Sequence, residues 1–214
     1  MKTKTFSFRS GLLAAGLGLA LLMQAGCSFL PEPKADPTRY YVLTGPAFAD
    51  PGVRQVAGTF VVGLKSVQVA PYLNGKAMIV RNETNEIAYQ EFARWAEPLD
   101  VGVGRMLAAR LVASDKIKRL YAQPFPFDVE RDYDVRVEVL RCEGEHKSDG
   151  KIVASLACVV EVTEAKTGGA VVLRKVFTAP EAAWNGKDFS RLAQLLSDAI
   201  STVGAEVIAA LPAK

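Results

Sequence analysis

The chain has 214 residues, half of them hydrophobic, with 26 Lys and Arg against 23 Asp and Glu. Three of the bases (Lys2, Lys4, Arg9) and none of the acids fall in residues 1–26, so the 188 residues that follow carry 23 charges of each sign. That neutrality removes the clustered positive field on which nucleic-acid binding rests, and the length suits one domain with a full core better than two.

Residues 1–10 are basic and acid-free, and an apolar run, Gly11 to Met23, follows directly. This is the order of a secretory signal peptide, and the run is shorter than the roughly 20 residues of a bilayer-spanning helix. Ala25-Gly26-Cys27 then places two small residues before a cysteine, which resembles a bacterial lipobox with Gln24 standing where an aliphatic residue is usual. The resemblance implies cleavage after Gly26, a diacylglycerol on the Cys27 thiol and an acyl chain, such as palmitate, on its new amino group. Each buried methylene contributes about 0.8 kcal/mol, so two or more chains hold durably. Ser28 and Phe29 follow with no aspartate, which by resemblance to the enteric sorting rule directs the protein to the outer membrane, on its periplasmic face.

Residues 27–38 contain three prolines and no apolar periodicity, as expected of a lipidated cysteine followed by a flexible spacer. The domain is expected over 39–214. Residues 39–44 (RYYVLT) and 58–70 (GTFVVGLKSVQVA) read as strands, stopped by Gly45-Pro46 and Pro71. Residues 78–81 and 86–90 read as a hairpin around the polar tetrad 82–85. Glu97-Pro98 is a helix start, and Leu99, Val103, Leu107 and Leu111 recur every four residues, predicting a helix to about Ser114.

Residues 132–178 read as a three-stranded meander. Val135, Val137 and Val139 alternate with charged residues, and Ile152 to Val162 alternate again across a polar loop, 143–150 (EGEHKSDG). Asp188 is a candidate N-cap for a last helix, whose apolar face runs from Phe189 and Leu192 to Val207 and Ile208. The expected fold is α+β: a single domain with a mainly antiparallel or mixed sheet covered by two amphipathic helices, the C-terminal one long.

Chemistry is sparse in the sequence. His146 is the one histidine, so a Ser-His-Asp triad would depend on it, and neither a nucleophile elbow nor a phosphate-binding glycine motif is present. Cys142, Glu143, Glu145 and His146 match no standard metal-ligand spacing, and a solvated loop is the better reading. No catalytic, metal or cofactor residue is therefore expected, and any ATP hydrolysis belongs to another subunit. Cys142 and Cys158 form an even pair in an oxidising compartment, which permits a disulfide, although Cys158 reads equally well as a small buried hydrophobe.

Three stretches in order resemble the ABC-type transport auxiliary lipoproteins, the PqiC-like family: Tyr40-Tyr41-Val42-Leu43, then Val67 to Leu73 leading to Ile79-Val80-Arg81, then Glu91 to Leu99 (EFARWAEPL). Cys142 departs from the pattern, since a larger apolar residue is expected there. The resemblance implies a non-catalytic, outer-membrane-anchored component that works with an MCE-domain protein and an ABC-type permease and ATPase. Such systems move lipids or other hydrophobic compounds between the two membranes and support membrane integrity. A homo-oligomer would match a multimeric partner, whereas an independent lipid carrier or envelope-assembly factor is the alternative. Phe92, Trp95, Glu97 and Pro98 are expected to make a structural corner, with Phe92 and Trp95 packed over the sheet; a partner site is the second reading.

Overall fold

The alternating apolar residues of the two longest strands organise the molecule. In the computed structural model, β7 (Tyr133–His146) and β8 (Ile152–Glu164) pair antiparallel over almost their whole length. Residues 34–45 and 58–213 are described; the leader, Cys27 and residues 46–57 lie outside them. Thr38–Lys214 forms one compact unit. β9 (Val171–Thr178) continues the meander on the far edge of β8, and two-residue β10 (Ala182–Ala183) pairs with the start of β8.

The other edge of β7 is shared by three strands running parallel to it. β2 (Phe60–Leu64) pairs near its beginning, β3 (Gln68–Val69) near its middle and β4 (Ala77–Asn82) at its end. β4 forms the expected hairpin with β5 (Glu86–Trp95), which reaches five residues past the predicted end. β1 (Arg39–Tyr41) lies parallel on the outer edge of β5, and β6 (Ile117–Ala122) on the outer edge of β2. The fold is α+β with a mixed sheet, as expected.

The predicted strand over 58–70 is two strands. Leu64 pairs with Val135 and Gln68 with Glu138, so four steps on one side oppose three on the other. One extra residue is a bulge, and it breaks the ladder while Lys65 N–H still donates to Val135 O at 2.9 Å. β6 was not expected; its basic residues, Lys118 and Arg119, are exposed and mask the buried Ile117 that anchors it.

Both helices cover one face. α1 (Leu99–Val112) starts on Pro98 and buries Leu99, Val103, Met106, Leu107 and Leu111. α2 (Phe189–Ala210) starts where the Asp188 carboxylate accepts from Arg191 N–H at 3.0 Å, and buries Leu192, Leu196, Ile200, Val203 and Val207. Five such side chains at about 2 kcal/mol each contribute on the order of 10 kcal/mol of burial before entropy is counted. By length and apolarity alone α2 could cross a bilayer, but half of it is buried inside the domain. Among the described residues the helix–sheet layer is closely packed. The gap among Val103, Leu107, Val137, Leu156 and Ile200 measures about 10 Å³, roughly the space of one water.

One glycine is set by this packing. A Cβ on Gly144 would lie 2.4 Å from the Trp184 ring, whose Nε1 donates to Asp188 O at 2.7 Å and so braces the start of α2.

Candidate functional site: the corner and the helix-free face of the sheet

The segment Phe92 to Leu99 does make a corner, but not with the partition expected. Trp95 is buried, its N–H donates to Lys76 O, and the next N–H, of Ala96, donates to Tyr41 O. Glu97 accepts from Arg105 Nη2 at 2.5 Å, and the same nitrogen donates to Leu43 O at 2.8 Å, so α1 is joined at one point to the chain leaving β1 and to the chain leaving β5. Pro98 caps α1. Phe92, expected over the core, is exposed instead. Ala93 and Trp95 are buried on the helix side, so strand alternation turns Phe92 and Arg94 to the opposite face.

That opposite, helix-free face carries an aromatic row. Tyr41 packs against Phe189 of α2, which sends its neighbour Tyr40 outward, in register with Arg94. Tyr89 stands opposite Ile79 on β4 and donates from its hydroxyl to Tyr72 O at 3.3 Å. At the β1 edge, Tyr40, Tyr41, Val42 and Thr44 border a groove of about 370 Å³ together with Ser190, Ala193 and Gln194 of α2, so Tyr40 sits where the two faces meet. Thr44 N–H donates there to the Ser197 hydroxyl.

Beside the row lies a polar cluster that the sequence reading assigned to solvent. Residues 143–146, expected in a loop, are the last residues of β7; the turn is confined to 147–151, closed by Lys147 N–H on Lys151 O at 2.8 Å. Val139 pairs with Cys158 and Arg141 with Ala157, so Leu140 is an extra residue that reverses the alternation. Cys142 and Gly144 therefore continue the core-facing line of Val135, Val137 and Val139, while Glu143 and Glu145 turn to the helix-free face. The reversal also separates Cys142 and His146 from Glu143 and Glu145, so these four side chains do not converge on a metal.

On that face Glu143 is 1 % exposed. Its Oε1 accepts from Arg81 Nε at 2.5 Å, whereas Oε2 is buried with no hydrogen-bond partner among the described residues. Tyr72, on the short 3-10 turn Pro71–Leu73, covers the pair, donating to Leu140 O at 2.9 Å and accepting from Arg81 Nη2. Burial, reinforced by the neighbouring Glu143 carboxylate, pushes the Tyr72 phenol up to about 12. Burial works against the Arg81 charge, but Glu143 outweighs it and holds the guanidinium above its ordinary value. The sequence signal for this cluster is Val80-Arg81-Asn82 on β4, a charge inside an apolar strand.

Cys142 and Cys158 are both buried free thiols. Cys142 pairs with Leu156 and Cys158 with Val139, so they are diagonal neighbours across β7 and β8. Such diagonals stand about 7–8 Å apart between Cα atoms, at or beyond disulfide reach. Burial pushes the Cys158 thiol up to about 12 and holds Cys142 higher still, with Glu143 adding to it. Neutral buried thiols react slowly. We therefore expect a chromogenic thiol reagent to titrate none in the native mature protein and two after denaturation without reductant; none after denaturation would mean that the pair had oxidised to a disulfide. Cys27 lies outside the described residues.

The sequence model for the ABC-type transport auxiliary lipoprotein component family matches residues 41–208, from β1 to the end of α2. The chain belongs to this family. No curated protein matches at a significant level. Among solved structures, the protein XCC0632 from Xanthomonas campestris, of family DUF330, superposes with a TM-score of 0.65 at 18% identity, covering 80% of this chain and 93% of that one. An uncharacterized protein superposes with a TM-score of 0.61 at 17% identity, covering 79% of this chain and 95% of its own. At these identities the likeness speaks to the fold alone. Membership makes this transport auxiliary lipoprotein a membrane-anchored envelope protein with a transport system for partner.

Proposed function

We propose that this auxiliary lipoprotein is anchored by acylated Cys27 to the periplasmic face of the outer membrane. There it serves, without catalysis, an ABC/MCE-type system that moves lipids or hydrophobic compounds between the inner and outer membranes and supports membrane integrity. Its partners are an MCE-domain protein and an ABC-type permease and ATPase. The observation that carries this reading is the family match over 41–208; Cys27, directly after a segment with the basic and apolar order of a secretory leader, supports it. The acyl chains hold the domain beneath the membrane and raise the local concentration of whatever surface docks the partner, which makes weak contacts sufficient.

The closely packed helix–sheet layer favours an adaptor over an independent carrier. A lipid chain inside the domain would need hundreds of cubic ångströms, and the gap between α1, α2 and the sheet is about 10 Å³. The test is affinity purification from detergent-solubilised envelopes, comparing wild type with Cys27→Ala and identifying co-purifying proteins by mass spectrometry. MCE-type subunits recovered with wild type and lost with the variant are the expected result. An acylated protein that recovers none, or that carries stoichiometric lipid, would sink the adaptor reading in favour of the carrier.

A further inference from the structure

We infer that the aromatic row on the helix-free face beside β1 rests on the lipid surface that holds the anchor, so that the domain lies against the membrane in one orientation and does not hang from a free tether. The inference rests on the reading of Cys27 as acylated. Three observations carry it.

The first is composition. Tyr40, Tyr89 and Phe92 are 61%, 53% and 48% exposed on this face. Large amphipathic or apolar rings exposed on one face are costly in water and are the side chains that settle at the bilayer–water interface, ring toward the acyl chains and hydroxyl toward the headgroups.

The second is charge. Arg94 stands on this face in register with Tyr40, exposed at the rim of the row, with Glu91 exposed in the same stretch of β5. Arginine forks match phosphate oxygens, so a surface of anionic phospholipid headgroups complements the rim as the acyl region complements the rings.

The third is position. Thr38, the first residue of the domain, follows Cys27 by eleven positions. Fully stretched, that chain spans at most about 40 Å. β7 alone, at fourteen residues, is about 46 Å long. The residue that begins β1 is thus held nearer the bilayer than the domain is long, and the exposed rings flank that residue on β1 and β5.

Tryptophan depth measurement tests this. Trp95 and Trp184 are 4% and 5% exposed and give the parent a low background. The full chain, purified from envelopes, is reconstituted on vesicles of phosphatidylethanolamine and phosphatidylglycerol with or without brominated acyl chains. Phe92→Trp is expected to be quenched at least twofold more than the parent, whereas Val112→Trp, exposed at the end of α1 on the other side of the sheet, stays at the parent level; coincident thermal transitions verify the fold of each. Equal quenching in Phe92→Trp and parent overturns the inference. So does a Tyr40→Ser, Phe92→Ser chain that loses co-purifying transport proteins while Phe92→Trp remains unquenched, since the face then docks protein. The mass of the amino-terminal peptide reports acylation separately: without it the anchor reading fails, and quenching of Phe92→Trp at excess lipid still decides whether this face meets a bilayer.

Discussion

Replacing Arg81 by Met is expected to cost about 3 kcal/mol, the low end of the ~3–5 kcal/mol seen when one partner of a buried ion pair is removed. The Glu143 side chain is fully buried and that of Arg81 is 13% exposed, which is why the low end applies. Oε1 would lose its cation and Oε2 already lacks a partner, so the whole carboxylate would be left without a protein donor except what Tyr72 could supply by reorienting. A domain of this size loses roughly 2–4 °C of Tm per kcal/mol, which sets the expected fall at about 6–12 °C. The double variant Arg81→Met, Glu143→Leu should recover most of the loss, because an apolar pair of similar volume carries no desolvation penalty. Scanning calorimetry on the four proteins closes the cycle; a single variant within about 1 kcal/mol of wild type would mean that the pair is solvated in solution.

Leu107→Ala is expected to destabilise by about 3–5 kcal/mol, the upper part of the range for Leu to Ala in a core. Leu107 is 1% exposed and already borders the 10 Å³ gap, so the deleted atoms would join an existing void instead of leaving a separate one. The surroundings have little freedom to close it. Val137, Val139, Leu156 and Cys158 belong to the doubly hydrogen-bonded centre of the sheet, and Ile200 and Val203 to a helix seated along its whole length. Urea unfolding should show the midpoint fall with the m-value unchanged. A loss under 1 kcal/mol would mean that α1 shifts inward to fill the space, and the packing described here would be wrong at its centre.

Much of this protein was legible before any coordinates. The period-two runs at 135–139 and 152–162 became β7 and β8, the four-residue spacing from Leu99 to Leu111 became α1, and the Asp188 cap opened α2. Those features are local, in that each segment has one face to bury and a spacing that names the element able to bury it. The family was legible for a related reason, since its ordered stretches are the corner and the strand ends that such packing requires.

What the tertiary structure decided were places where one residue changes which way its neighbours point. The extra residue Leu140 turned Glu143 and Glu145 from a presumed solvated loop onto the helix-free face, and only Arg81 and Tyr72, 62 and 68 or more positions away in pairing, make a buried carboxylate tolerable there. The bulge between Leu64 and Gln68 split one expected strand in two for the same reason. Phe92 and Trp95 looked equally fit for the core, yet alternation along β5 sent one inward and the other outward, and only pairing with β1 and β4 sets that alternation's phase. Composition and periodicity determine how much a segment must bury; which side it buries depends on register with strands distant in sequence, and a single inserted residue reverses it.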